Sequence, residues 1–373
     1  METVNYEDFA ISVSQRISGK RIPLRGTIEV TRRCPLTCGH CYNNLPLTDQ
    51  QALDSELSYE EHCRVLDEIV EAGCFWLLYT GGEIFARPDF LDIYRYAKQK
   101  GLLITLFTNA VLINKKIADS LADYTPHSIE ISLYGHTKET YEKVTGRPGS
   151  FERCLGGTKL LIESKMPVKL KTVTMTLNEH ELWEMKRFVE EDLGLEFRFD
   201  AMINPRIDGS QTPLALRLTP EEVVDLDLQD PERLADWNQF CEHQVGPRLD
   251  LKQSHDLYQC GGGVGSFAID PSGNLSLCGM SANDTYDLRQ GTFRDGWEDF
   301  ISRVRQKKIT RQTKCFSCEI KAMCGMCPAN GELENKDPEE PVDFLCRVAH
   351  LRAHALGLTI PPHGDCEYCK TPL

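Results

Sequence analysis

Apolar positions between residues 26 and 203 follow two alternating rhythms. Short dense runs, rich in β-branched and aromatic residues, read as strands: "GTIEVT" (26–31), "CFWLLYT" (74–80), "LLITLFT" (102–108), "SIEISLYG" (128–135), "VKLKTVTMT" (168–176) and "LEFRFDAMI" (195–203). Between them, apolar residues recur three and four apart, the period of a helix with one buried face. Such stretches are "SYEEHCRVLDEIVEAG" (58–73), "PDFLDIYRYAKQKG" (88–101), "NKKIADSLADY" (114–124), two segments around 137–145 and 150–165, and "EHELWEMKRFVEEDLG" (179–194). Ser58 with Glu61 three residues on predicts a capping box, and Gly73 suits the position just past the helix end. Pro88 and Gly101 bracket the next helix in the same sense.

About six β/α units in succession predict a parallel sheet with helices outside it. A curved sheet would make a partial barrel, and a doubly wound open sheet is the competing geometry. The pattern does not choose between them.

The rhythm stops after residue 205. Residues 204–250 are rich in Pro and Asp and read as a linker with one or two short helices. From residue 255 apolar periodicity fades while glycine and cysteine rise, so metal is expected to staple a segment too small for a large core. The expected organisation is an N-terminal segment (1–21), a β/α region (22–205), a linker (206–254), a cysteine-rich domain (255–350) and a tail (351–373). There is no internal repeat and no low-complexity tract.

Composition narrows the functional classes. The chain is 41% hydrophobic and 26% charged, the balance of a globular protein. No apolar run approaches the ~20 residues of a membrane-spanning helix. The N-terminus "METVNYEDFAISVSQRISGK" has early acids and no apolar core, unlike a secretory signal, so a cytoplasmic location is expected. A net charge of −14 argues against nucleic acid as partner, and "RVRQKKITR" (303–311) reads as a solvated helix face. Sixteen cysteines in a reducing compartment point to metal rather than disulfides.

The first group is "TRRCPLTCGHCYNN" (31–44), with Cys34, Cys38 and Cys41 on the loop after the first strand. In a parallel barrel the loops at the strand C-termini form the active face. Structural zinc takes four ligands, and no fourth cysteine lies near this loop. A 4Fe–4S cluster fits better, with three irons on thiolates and the fourth open to another ligand.

This triplet on the first βα loop resembles that of the radical S-adenosylmethionine (SAM) enzymes. "YTGGEIF" (79–85) at the second strand end looks like the family's Gly-Gly-Glu motif. By that likeness Gly81 and Gly82 allow close backbone approach to a ligand, and Glu83 accepts hydrogen bonds from the methionine amino group. "FTNA" (107–110) is similar to the family's Thr-Asn-Gly, which singles out Asn109, with Ala110 replacing the glycine. "ISLYG" (131–135) puts Ser132 at the ribose contact, and "TMTLN" (174–178) falls near the adenine contacts. His40 matches the position whose ring packs on adenine, and Tyr42 shares that role. The resemblance spans about residues 22–205 and implies a partial (β/α)6 TIM-like barrel.

The C-terminal cysteines, Cys260, Cys278, Cys315, Cys318, Cys324, Cys327 and Cys346, resemble the SPASM domain, an auxiliary iron–sulfur module of radical SAM enzymes. The family's pattern implies two auxiliary clusters. Cys315, Cys318, Cys324 and Cys346 would hold one, and Cys260, Cys278 and Cys327 the other. The second would keep an open iron, take Cys241, or be a smaller cluster. One departure is the spacing Cys324-x2-Cys327, where the family has three intervening residues. "GDCEYCKTPL" adds Cys366 and Cys369 at the tail, read as a redox pair, a metal clip or an incidental site. Cys63, Cys74 and Cys154 read as core.

The resemblance implies reductive cleavage of SAM to a 5′-deoxyadenosyl radical that abstracts hydrogen from a C–H bond, with flavodoxin or ferredoxin as reductant. It implies a ribosomally made peptide as substrate, modified by cross-linking, epimerisation or backbone excision. The segment before the barrel is too short for a fused recognition domain, so a separate small leader-binding protein is expected. The alternatives are an anaerobic sulfatase-maturing dehydrogenase, a small-molecule radical SAM enzyme, and a non-enzymatic iron–sulfur electron carrier. The sulfatase-maturing type carries an Asp after the second SPASM cysteine, where this chain has Gly279; Asp270 or Asp284 could supply a base instead. The sequence singles out no catalytic acid or base.

Overall fold

The computed structural model describes residues 5–244, 254–281 and 283–369. Among the described residues there are eleven strands: β1 (Arg25–Glu29), β2 (Arg33–Cys34), β3 (Leu45–Pro46), β4 (Trp76–Thr80), β5 (Leu103–Thr108), β6 (Ser128–Ser132), β7 (Val168–Val173), β8 (Phe197–Asp200), β9 (Ser266–Ile269), β10 (Asn274–Ser276) and β11 (Tyr286–Asp287). Nine form one sheet in the order β11-β10-β9-β1-β4-β5-β6-β7-β8, and β2 pairs with β3.

The order decides between the two geometries. From β1 through β4, β5, β6 and β7 to β8, each parallel strand sits beside its predecessor, always on the same side. Right-handed crossovers that never reverse put all their helices on one face. A doubly wound sheet needs a reversal point within its β/α series, and none occurs between β1 and β8. This is the (β/α)6 partial-barrel topology. Burial along β4, β5 and β7 alternates strictly, one face buried and the other half-buried. Leu77, Tyr79, Ile104, Leu106 and Leu170 point into the core. Thr80, Phe107, Ser132, Lys171 and Val173, at the strand C-terminal ends, have the half-buried orientation and line a cleft.

Local signals explain the helices. Ser58 and Glu61 make the reciprocal capping box of the Tyr59–Glu71 helix, and Gly73 follows it at φ 104°. The next helix begins at Phe90, two residues after Pro88, with Asp89 at the N-cap and its carboxylate bonded to Arg87. The 179–194 stretch is one 3₁₀ turn, an α segment (Leu182–Arg187) and a wider π turn (Phe188–Asp192). An N-terminal helix, Tyr6–Arg16, was not foreseen. It lies against β4, with Phe9 on the Phe75 and Trp76 rings.

The cysteine-rich region is continuous with the barrel sheet. β9 pairs in parallel with β1, from Arg25↔Ser266 to Ile28↔Ile269, and turns into an antiparallel β10 and β11. Gly26 makes this contact close: a Cβ there would lie 2.6 Å from the Phe267 ring. Phe267, Phe293 and Trp297 pack together and join the main core.

Residues 206–244 are docked. Helices Pro220–Gln229 and Pro231–Gln244 pack near the C-terminal helix Asp343–Ala355. The buried Asp227 carboxylate accepts Arg352 Nε at 2.8 Å and Arg233 Nε at 2.9 Å. No helix among the described residues is long and apolar enough to cross a membrane.

Candidate functional site

The cysteine loop is closed at its base by the β2–β3 pairing, Arg33↔Leu45 and Cys34↔Pro46. Arg33 anchors it through two 2.9 Å hydrogen bonds to the Glu56 carboxylate. Arg206, beyond β8, pins the far side. Its guanidinium donates to the Cys41 carbonyl at 3.2 Å and to the Asn44 side-chain and main-chain oxygens at 2.8 and 2.9 Å. Loop shape is therefore held from two distant segments.

All three thiols face one cleft of about 260 Å³. Burial pushes the Cys34 thiol up to about 12, with Glu83 adding to it. Burial also raises Cys38 and Cys41, and the neighbouring sulfurs raise Cys38 further. Buried thiols at such values ionise only against bound cationic charge. Donors point at the sulfur: Leu36 N–H and Asn109 Nδ2–H lie 3.4 and 3.5 Å from Cys34 Sγ. Three thiols, sulfur-directed N–H groups and an open cleft fit an iron–sulfur cluster with one free coordination position.

The second strand end packs directly on this loop. Gly82 N–H donates to the Thr31 carbonyl at 2.7 Å and Glu83 N–H to Arg33 at 3.0 Å. Gly81 stands at φ 137°, where a Cβ would come within 2.1 Å of the Thr31 oxygen; at Gly82 it would come within 2.4 Å of the Arg32 oxygen. The glycines thus admit the backbone of the cysteine loop, and both also line the cleft.

Glu83 does not line the cleft. It is fully buried, and its oxygens accept Thr108 Oγ1 at 2.7 Å, Asn109 N–H at 2.8 Å and Phe85 N–H at 3.2 Å. Burial lifts its pKa to about 7 against these hydrogen bonds. Its observed connections run to the end of β5, and they orient Asn109.

His40, Tyr42, Asn109 and Ser132 line the cleft. The His40 ring stands edge-on to Tyr134, centroids 4.7 Å apart. Burial depresses His40 to about 4, so the imidazole is neutral, and its Nδ1 has no partner. Tyr42 turns its hydroxyl away to Glu29 Oε1 at 2.7 Å. The segment 174–178 is not on the wall. Asn178 is buried in its own turn, bonded to Tyr134, Thr172 and Val173.

Sequence reasoning missed Tyr134, Lys171 and Arg206. Lys171 was findable: it is a cation at an inward position of β7, bonded to Glu130 at 3.0 Å and lowered to about 8 by burial. Tyr134 lies two residues after Ser132 and shares its orientation. Nothing local marks Arg206.

The C-terminal cysteines divide into two groups. Cys315, Cys318, Cys324 and Cys346 line one cavity. Burial raises Cys318 to about 12 and Cys324 to about 11, each with added contributions from neighbouring sulfurs. Cys278 is raised by burial and then by the proximity of Cys327 and Cys260. Cys241 packs with Ile320 and Met323, with Cys318 and Cys324 of the first group against the same cluster. Burial keeps Cys74 and Cys154 in the core, as their patterns predict.

A second cleft lies between β1 and the β9–β10 hairpin, with Glu29, Arg32, Asp208, Asp270 and Gly279 on its walls. Arg32 stands 3.5 Å from both Glu29 and Asp270. The Asp270 carboxylate also accepts the Ser272 and Asn274 amides at 2.9 Å. Asp284 is paired with Lys307 at 2.6 Å.

Comparisons with known proteins identify the family and the fold. The model of the radical SAM superfamily matches residues 28–189. The PqqA peptide cyclase of Bradyrhizobium diazoefficiens is 32% identical over 338 residues, covering 85% of this chain and 86% of that one. The AdoMet-dependent heme synthase of Methanosarcina barkeri is 26% identical over 344 residues, 84% and 94% of the two chains. Among solved structures, Streptococcus suis SuiB bound to precursor peptide SuiA superimposes with a TM-score of 0.66 at 18% identity, over 92% of this chain and 82% of that one. The chain belongs to the radical SAM superfamily.

Proposed function

We propose that this enzyme modifies a ribosomally made peptide. The similarity to the PqqA peptide cyclase along nearly the whole of both chains carries the reading. The fold shared with SuiB, solved with a precursor peptide, supports it.

In this reading Cys34, Cys38 and Cys41 hold the 4Fe–4S cluster, and the adjoining cleft takes SAM. When bound, the cluster and SAM supply the one-electron chemistry that activates a substrate C–H bond. The chain's own residues set the conditions. Neutral His40 and Tyr134 offer an aromatic corner for a planar base. Ser132 and Asn109 present polar groups on the same wall. Gly81 and Gly82 line the cleft and Glu83 does not, so their main chain would meet the methionine end while the Glu83 carboxylate would act through Asn109. Cys315, Cys318, Cys324 and Cys346 hold one auxiliary cluster, and Cys260, Cys278 and Cys327 another.

The peptide enters through the second cleft, where Glu29 is the proton acceptor. It is buried, its pKa is raised first by that burial, and it joins both clefts through Tyr42. Gly279 offers no carboxylate, Asp284 is paired with Lys307 and is not on the cleft wall, and Asp270 is tied into its turn, which disfavours the sulfatase-maturing chemistry. A flavodoxin or ferredoxin in the cytoplasm supplies electrons, and a separate small protein presents the leader.

The small-molecule reading rests on the heme synthase relative. One experiment separates the two: anaerobic turnover with SAM and dithionite, offering a co-expressed precursor peptide or an iron tetrapyrrole. A mass change or a new cross-link in the peptide supports the proposal. Conversion of the tetrapyrrole with an untouched peptide overturns it.

A further inference from the structure

The chain carries a second kind of metal-ligand pattern, His-x12-His-x2-Cys-x2-Cys, from His350 to Cys369. His350 lies on the Asp343–Ala355 helix, one turn after Cys346. Beyond Gly357, at φ 73°, the tail folds back along that helix and brings His363, Cys366 and Cys369 onto His350. The two imidazoles stack with centroids 5.6 Å apart. Cys366 is fully buried, and His350 and His363 are 1% and 6% exposed.

Four ligand atoms, one from each residue, lie within 4.8 Å of one another. His350 Nε2 is 3.5 Å from Cys366 Sγ and 3.3 Å from Cys369 Sγ, and His363 Nδ1 is 3.3 Å from Cys369 Sγ. Tetrahedral zinc, with bonds of about 2.0–2.1 Å to nitrogen and 2.3 Å to sulfur, needs ligand atoms roughly 3.3–3.8 Å apart. His350 is also oriented as a ligand: its Nδ1 lies 2.7 Å from the Cys346 carbonyl, which takes that ring proton and leaves the Nε2 lone pair facing the sulfurs. Tyr368 holds the Cys-x2-Cys turn in place through a 2.7 Å hydrogen bond to Asp343.

We propose that His350, His363, Cys366 and Cys369 form a structural zinc site that clips the C-terminal tail over the neighbouring auxiliary-cluster cavity. The spacing selects one zinc ion over a two-iron cluster: His350 Nε2 lies within 3.5 Å of both sulfurs, so imidazole and thiolates converge on a single tetrahedral ion, whereas a two-iron centre with the same ligand set carries its imidazoles and its thiolates on different irons. Two thiolates neutralise the dication, so the buried site carries no net charge. The neighbouring cavity already has four thiols of its own on its wall; Cys366 and Cys369 do not line it, although the Cys366 thiol touches that of Cys346 across the boundary. His350 and His363 stand on that wall, between the two sites. The inference does not rest on the peptide reading.

The test uses the full-length protein, purified anaerobically with its iron centres reconstituted and supplied with equimolar zinc. Elemental analysis should find about one zinc per chain, and zinc-edge X-ray absorption should fit two nitrogen and two sulfur neighbours. Cys369→Ser, and Cys366→Ala with Cys369→Ala, should lose the zinc and keep the iron. Loss of about four irons in the double variant would assign these thiols to the auxiliary cluster and overturn the proposal. Zinc retained by the double variant would also overturn it. Should that variant be insoluble, the wild-type spectrum decides: no zinc, or zinc in an all-sulfur shell, overturns the site.

Discussion

The Tyr42 hydroxyl donates to the Glu29 carboxylate at 2.7 Å, and the two residues stand on the walls of different clefts. Asn43 Nδ2 adds a second donor to the same Glu29 oxygen at 2.9 Å. Burial raises the Glu29 pKa, and the Tyr42 bond opposes that rise. Removing the hydroxyl therefore raises it further. In Tyr42→Phe the acidic limb of the rate–pH profile should move to higher pH, because the carboxylate form that accepts a proton appears later. Glu29→Gln should abolish that limb along with most turnover. An unmoved limb in Tyr42→Phe would remove Glu29 from proton transfer.

Asn109 Nδ2 donates to Cys34 Sγ. Hydrogen bonds to cluster sulfurs stabilise the more negative, reduced state. Asn109→Ala should lower the reduction potential of the N-terminal cluster, read by a spectroscopic redox titration, with iron content unchanged. The triple variant Cys34→Ala, Cys38→Ala, Cys41→Ala should instead lose about four irons and all 5′-deoxyadenosine formation, while the auxiliary iron remains.

Gly82→Ala places a methyl against main-chain oxygens of Arg32 and Arg33. The backbone of the cysteine loop must move, at a cost of about 1–3 kcal/mol. Lower unfolding stability and weaker SAM cleavage should appear together. Gly156→Ala is the control: a Cβ there meets nothing within 4 Å, and the helix should gain a few tenths of a kcal/mol, up to about 1.

His62 is fully buried, and neither ring nitrogen has a partner. Burial, with Arg87 adding to it, depresses its pKa to about 3. Between that value and about 6.5 the unfolded chain takes up a proton that the folded chain refuses. Stability from this residue is full above pH 6.5 and falls as pH drops. From pH 7.5 to 5.5 the loss should be about 1.4 kcal/mol. His62→Leu should remove that part of the slope in anaerobic denaturant titrations at the two pH values.

Much of the barrel was legible because its signals are local. The strand runs, the Ser58–Glu61 cap and Gly73 act within a few residues, and the structure places them close to the expected bounds. The cysteine triplet was legible for the same reason, since its spacing alone puts three thiols on one loop.

The rest depended on which distant segments become neighbours. No short-range pattern encodes β9 beside β1, Arg206 on the Cys41 carbonyl, or Glu83 turned from the cleft toward Asn109. Cys241 reads as a candidate ligand by its place along the chain, yet helix packing carries it to the other group. The tail thiols were ambiguous until the chain reversal at Gly357 brought two histidines to them. By itself the sequence determined most elements of the barrel and the cysteine loop, because each depends on spacings within a turn or a strand, while resemblance to a known family supplied the kind of chemistry. Only the tertiary structure decided which carboxylate joins the clefts and which four ligands meet at the tail. Those contacts form between residues far apart in the chain, where sheet order and core packing set the distances.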